Sequence, residues 1–387
     1  MPDETRPGSL SALRLANRRR LLAVLQDGRS VSQAELARLT GLAPATVSGL
    51  VRTLSAEGEL VVSEGIANGR RSSMVELSPK RRRYGIGIDL GRTHVRVIAG
   101  TDAGEVLAEV VADLPERHRA GTTIDAITSL VGAAQQQAGL ADDQVAGIAM
   151  GVPAPLDVAT GVVTEEALLP DWAGIALHER LHAALGRPVA VDNDANLGAV
   201  ALARRLDADS VVFVKVASGI GAGVALGGRL WRGHSGTVGE LGHLTLDPGL
   251  STVCHCGRRG CLETIASAGS IRSALNSALD LDVGISDVLG LLNEGNPVAL
   301  QILEDAGEML GRGLGLLAML LNPAVIALGG PLIAVGEPWL HPVRRGFRRA
   351  VLPGVADRTR LILSPLRERT EAVGALLAAL DEPAALA

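Results

Sequence analysis

Hydrophobic and polar positions change period several times along this chain, and each change marks an element. Between residues 13 and 25 apolar side chains recur at helical spacing, with Arg18-Arg19-Arg20 on the outer face. Ser32 precedes Gln33-Ala34-Glu35, a capping box that opens a helix over residues 35–39. Thr40-Gly41-Leu42 reads as a tight turn. Ala43-Pro44 then begins a second helix reaching Leu54, with proline in its first turn. Val47, Leu50, Val51 and Leu54 fall on its core face, and Thr46, Ser48 and Arg52 on its polar face. Helix, glycine turn, helix is the layout of a helix-turn-helix, whose second helix enters the major groove and meets base edges or phosphates. Two short β-like runs follow, at residues 59–63 and 74–77. Asn68-Gly69 between them is a strong hairpin signal. A winged helix-turn-helix over residues 1–80 is expected, with Arg70 and Arg71 at the wing tip. The competing readings are a small helical protein-binding module, or a face of merely solvated arginines.

Charge sharpens that division. Residues 1–83 hold 14 Lys/Arg against 8 Asp/Glu, while the remainder holds 23 against 34. A basic end on an acidic body suggests that only the first segment meets a polyanion. The chain is 47% hydrophobic but only 2% aromatic, so Leu, Val, Ile and Ala must fill the core. Its length of 387 residues predicts two or three domains. No apolar run reaches the ~20 residues of a membrane span and the N-terminus is polar, so a cytoplasmic protein is expected. Residues 1–8 and 383–387 read as disordered tails, and Lys80-Arg81-Arg82-Arg83 as a linker.

In the body, residues 84–99 read as strand, glycine turn, strand, and residues 210–226 repeat that pattern. Such a duplication fits two similar lobes, each placing a glycine turn toward a cleft. Pro188-Val-Ala-Val-Asp192 is a short strand that runs into Asn193-Asp194, after which a helix begins. A carboxylate at a strand end facing a cleft is well placed for chemistry, though Asn-Asp there also reads as an ordinary helix cap. Near residues 306–321 and 370–380 the helices are apolar enough for either core or dimer contacts.

All three cysteines lie within eight positions, Cys254-His255-Cys256-Gly-Arg-Arg-Gly-Cys261, with Glu240-Leu-Gly-His243 just upstream. Three thiolates and one imidazole make a full tetrahedral set for a structural zinc ion, with no open position for a catalytic water. The expected ligands are His243, Cys254, Cys256 and Cys261. His255 could replace His243, at the cost of straining the loop. A disulfide with one remaining thiol is the blander alternative.

These motifs resemble the signature of the ROK family of repressors and sugar kinases. Gly239-Glu240-Leu-Gly-His243 and Cys254–Glu263 reproduce its two blocks, and Asn193-Asp194-Ala195-Asn196, residues 218–223 and residues 321–330 extend the match along nearly the whole chain. The resemblance implies an α/β, actin-like (ribonuclease-H-like) two-lobed body, its lobes at residues 81–198 and 199–387, with the C-terminal helix packing back on the first lobe. It implies that Asn193, Asp194, Glu240, His243 and Glu263 hold sugar hydroxyls, and that Asp194 is the catalytic base if the protein is an ATP- and Mg-dependent hexose kinase. Asp89, Gly91, Thr93, Gly219 and Gly221 match positions that hold nucleotide phosphates in the kinases. Here, however, Arg92 replaces the second glycine of the first turn and His94 replaces its lysine. The second turn has Ala217-Ser218-Gly219 in place of Gly-Thr-Gly. The leading expectation is therefore a sugar-responsive transcription regulator, a repressor of carbohydrate genes. It would bind palindromic operator DNA as a homodimer or homotetramer. A kinase that keeps a DNA-binding domain comes second, and a protein-binding adaptor third.

Overall fold

The computed structural model describes residues 17–381 apart from 19, 23, 26–29, 68–69, 79–82, 116, 158–159, 164–169, 235, 248, 250–251, 281, 283 and 285–286. Both expected tails, the Asn68-Gly69 turn and most of the basic linker lie outside the described residues. The contacts divide the chain into two units, Met1–Tyr84 with Thr101–Glu105, and Gly85–Gly100 with Val106–Ala387.

In the first unit residues 17–25 are helical where described. Strand β1 (Val31–Ser32) leads into helix α1 (Gln33–Thr40), which Ser32 caps by accepting a hydrogen bond from Glu35 N at 3.2 Å. Gly41 ends α1 at φ 67°, a left-handed conformation that favours glycine. Helix α2 (Pro44–Ala56) buries Val47, Val51 and Leu54 against Leu21, Leu25, Leu36 and Val75. Leu50 is only partly buried, because it lies at the edge of that face. Strands β2 (Leu60–Ala67) and β3 (Arg70–Leu77) pair antiparallel from Leu60↔Leu77 to Ala67↔Arg70. They are longer than the β-like runs of the sequence, since the ladder continues through residues 63–67, which include the polar Ser63 and Glu64, to Ala67↔Arg70.

The second unit holds two five-stranded sheets. The first comprises β4 (Tyr84–Leu90), β5 (His94–Thr101), β6 (Val106–Asp113), β7 (Val145–Val152) and β10 (Val189–Asn193), in the order β10-β7-β4-β5-β6. A small ribbon, β8 (Leu156–Asp157) with β9 (Val162–Val163), intervenes in sequence. Helices α3 (Ala120–Gln137) and α4 (Leu177–Leu185) cover one face around the buried Trp172. The second sheet comprises β11 (Ser210–Val216), β12 (Ile220–Leu226), β13 (Arg229–Leu230), β14 (Val325–Gly329) and β15 (Arg360–Leu363), in the order β13-β12-β11-β14-β15. In both sheets an antiparallel hairpin adjoins parallel strands, as the duplicated sequence pattern predicts.

Helix α5 (Asp194–Leu206) and the C-terminal helix, here α9 (Thr370–Leu380), pack against each other and join the two sheets. The approach is very close: a Cβ at Gly374 would collide with Leu197 O, and one at Gly147 of β7 with Ala379 O. Outside the second sheet stand α6 (Ala268–Leu279), α7 (Pro297–Leu321) and α8 (Glu337–Ala350), whose Leu303, Leu310, Leu314, Trp339 and Phe347 form its largest apolar cluster. The apolar segments that sequence left undecided now separate. Helix α9 is core, whereas α7 buries Leu310, Leu314 and Ala318 but exposes Leu316, Met319 and Leu320.

Candidate functional site

A cavity of about 1040 Å³ opens in the second unit, lined by the two glycine turns, the β10–α5 junction and the cysteine loop. Every residue that the sequence proposed for sugar or nucleotide borders it: Asn193, Asp194, Glu240, His243, Glu263, Asp89, Gly91, Thr93, Gly219 and Gly221.

The polar set is placed by helix starts and turns. Asn193 caps α5, its Oδ1 accepting from Ala195 N at 3.0 Å and Asn196 N at 3.3 Å. The cap reading of this pair is thus satisfied, and Asn193 still borders the cavity. Asp194 is buried, with Oδ1 accepting from Ala195 N at 2.7 Å. Glu263 begins a one-turn helix, Glu263–Ala266, beneath the second glycine turn. Its Oε2 accepts from Ile220 N at 3.0 Å, and Oε1 lies 2.9 Å from His255 Nδ1. Gly219 must be glycine for this to fit, because a Cβ there would run into Glu263 Oε2. Glu263 therefore ties the turn to the cysteine loop.

The metal-ligand atoms of His243, Cys254, Cys256 and Cys261 all lie within 4.8 Å of one another. Cys254 Sγ is 3.5 Å from His243 Nδ1, and Cys256 Sγ is 3.6 Å from Cys261 Sγ, far beyond the ~2.05 Å of a disulfide. A tetrahedron with ~2.3 Å metal–sulfur arms has edges on the order of 3.5–3.8 Å, so the set fits a four-coordinate soft metal ion. An overlapping set, His243, Cys254, His255 and Glu263, is equally compact. There, however, His255 is already engaged by Glu263. His243 turns Nδ1 toward Cys254 and Nε2 toward Glu240 Oε2, at 3.9 Å, so one imidazole borders both the metal set and the cavity.

The first glycine turn differs from a phosphate cradle. The His94 ring packs where a Gly91 Cβ would stand, and its Nε2 lies 3.4 Å from Asp89 Oδ2.

Sequence reasoning missed the centre of the cleft floor. Lys215 Nζ sits 2.9 Å from Asp194 Oδ2, 3.1 Å from Glu371 Oε1 and 3.5 Å from Asp89 Oδ1, and all four residues are buried or nearly so. Burial works against the Lys215 charge, but the three carboxylates outweigh it and hold its pKa well above the ordinary lysine value. Burial raises Asp194 above the usual carboxylate range, with Lys215 pulling against it. Glu371 is pushed by burial up to about 7, with Asp89 and Asp194 adding to the rise. Burial would also raise Asp89, yet Lys215, His94 and Arg96 together bring it below its ordinary value. The signal for Lys215 was its isolation as the one charge in Ser210-Val-Val-Phe-Val-Lys-Val216, on the same strand face as Phe213, which packs on α5. A second pair was also missed. Arg232 grips Asp192 with two bonds of 2.6 and 2.9 Å, and Asn196 Nδ2 donates to the same carboxylate at 3.1 Å. This fixes the end of β10 from which Asn193 and Asp194 project.

Comparison with known proteins places the chain in a family. Residues 85–382 match the model of the ROK family. The chain belongs to the ROK family. Residues 14–58 match a winged helix-turn-helix DNA-binding model. Thr46, Ser48 and Arg52 within that range are exposed, as is Arg71 beyond it. The side chain of Arg70 lies outside the described residues. The xylose repressor of Bacillus subtilis is 27% identical over 362 residues, covering 92% of this chain and 93% of its own. The ROK hexokinase of Thermus thermophilus is 32% identical at a TM-score of 0.64, over 77% of this chain and 98% of its own. A ROK transcriptional regulator described as a homologue of the E. coli MLC protein shares the fold at a TM-score of 0.72 and 24% identity, across 94% of this chain. The family thus includes both repressors and kinases. No helix among the described residues is long and apolar enough to cross a membrane.

Proposed function

We propose that the protein is a sugar-responsive transcriptional repressor that binds operator DNA through its winged helix-turn-helix and a sugar in the cleft of its body. One observation carries the reading. A DNA-binding unit with its recognition face exposed is joined to a cleft whose polar set suits a polyol, while the carboxylate expected to act as base, Asp194, is held by Lys215. Carboxylates, an amide and an imidazole in fixed directions select hydroxyl patterns. Xylose repressors match over nearly the whole chain, whereas the hexokinase matches the body alone. His94 over the Gly91 turn argues further against ATP. A symmetric homodimer on a palindromic site and a cytoplasmic location complete the reading.

His243, Cys254, Cys256 and Cys261 are the ligands we assign to a structural zinc ion. Bound there, zinc would cross-link the loop and fix the His243 ring that borders the cavity. Replacing Cys256 by Ser is expected to abolish zinc retention and the sugar response together, by loosening Glu240 and Glu263. A metal-free variant with unchanged sugar affinity would refute that coupling.

The function is tested by thermal shift of zinc-loaded protein against aldoses, amino sugars and their phosphates, each with and without Mg-ATP. A sugar that raises Tm alone, with no added effect of ATP, and that weakens operator binding in a mobility-shift assay supports the repressor. Stabilisation by ATP with ADP release would establish the kinase instead.

A further inference from the structure

The sugar-binding reading uses Lys215 only to hold Asp194, although three carboxylates surround it. Its three nearest carboxylates come from separate elements, Asp89 on β4, Asp194 at the start of α5 and Glu371 in the first turn of α9, and all four residues border the cavity. Three carboxylate oxygens surround this ammonium at 2.9, 3.1 and 3.5 Å, so its charge is balanced within the group. Carboxylates gathered from several elements around one point are also what an oxygen-liganded divalent cation requires. A lysine ammonium is a compact point charge on a long stem, which lets β11 deliver it to that point without opening the strand. A dication entering the group would meet the ammonium at contact distance, and one of the two would have to leave.

We propose that the Lys215 ammonium is a built-in cation standing in the place of a divalent metal ion, so that it supplies the counter-charge to Asp89, Asp194 and Glu371 and the cleft excludes magnesium nucleotides. The proposal deepens the repressor reading and rests on it for its purpose: a sensor needs Asp194 fixed as a hydrogen-bond acceptor, with no phosphoryl donor admitted beside it. Asp194 keeps Oδ2 on Lys215 and Oδ1 on Ala195 N, each oxygen retaining a lone pair for a sugar hydroxyl. Raised proton affinity at Glu371 relieves the excess negative charge that one ammonium leaves among three carboxylates.

The test uses the zinc-loaded full chain with MnCl2 as probe, in wild type, Lys215→Ala and the double variant Lys215→Ala/Glu371→Gln. Bound Mn2+ is read by electron paramagnetic resonance and stability by Tm. Wild type is expected to bind no Mn2+ at the cleft and to keep its Tm. Lys215→Ala should gain about one Mn2+ per chain and a Tm that rises with its concentration. The double variant, relieved of one buried charge, should fold readily and show a weaker form of the same response. Equal Mn2+ binding by wild type would overturn the proposal, as would no response in both lysine-less variants. Failure of both to fold even with Mn2+ counts the same way, because a cation that replaces the ammonium should restore the fold. Sugar-induced Tm shifts on wild type are recorded separately. Their absence would remove the sensor reading while leaving the cation result standing.

Discussion

At Glu371 and Asp89 the same burial meets different neighbours, and the two carboxyls move in opposite directions. Burial, reinforced by Asp89 and Asp194, carries Glu371 up to about 7 against the pull of Lys215, whereas at Asp89 burial is outweighed by Lys215 together with His94 and Arg96. The consequence for stability has a definite sign. A carboxyl whose folded pKa exceeds its unfolded value of 4.5 binds its proton more tightly when folded. Its contribution is therefore full below that unfolded value and is lost as pH rises through about 7. Glu371→Gln removes this dependence. Relative to wild type, its urea midpoint should climb between about pH 5 and about pH 8, and parallel curves would contradict the assignment.

Helices α1 and α2 owe their form to signals a few residues apart: the Ser32 cap, the left-handed Gly41 and Pro44 in the first turn. Their function belongs to the same scale. Arg52 is exposed beside Ser48 on the polar face of α2, within reach of a phosphate under the proposed DNA-binding role. Arg52→Ala should weaken binding to operator and unrelated DNA alike and reduce the salt slope by about 1. Loss of sequence preference without a change in slope would place it on a base instead. The α5–α9 crossing depends on non-local contact. A Cβ on Gly374 would strike the Leu197 carbonyl, a backbone atom that cannot swing aside, so Gly374→Ala should cost about 1–3 kcal/mol in urea denaturation.

Across the whole molecule the repressor reading demands that sugar and DNA compete through conformation. A sugar that binds both states equally shifts nothing. The factor by which the effector weakens operator affinity must therefore equal the factor by which operator weakens effector affinity. Paired titrations by fluorescence anisotropy and calorimetry check this, and unequal factors would show that the two ligands are not coupled at equilibrium. The exposed Leu316, Met319 and Leu320 on α7 lie outside this linkage, on a helix whose other face is core.

Sequence by itself pointed to the winged unit and to the His-Cys cluster, and its resemblance to a family pointed to the polar residues that border the cleft. Each is written in short-range spacing: caps and turn residues, three cysteines in eight positions, an Asn-Asp pair at a strand end. It also showed, through Arg92 and His94, that the first glycine turn had changed. What His94 does there was decided by the tertiary structure, which lays its ring over Gly91. Tertiary structure likewise decided the ion cluster. Lys215 draws its partners from positions 89, 194 and 371, and no local pattern links residues so far apart. Only burial turns those four charges into a single unit, because water would screen them from one another and the closed floor of the cleft does not. The same folding step divided two apolar helices alike in sequence, enclosing α9 between the sheets and leaving one face of α7 in solvent.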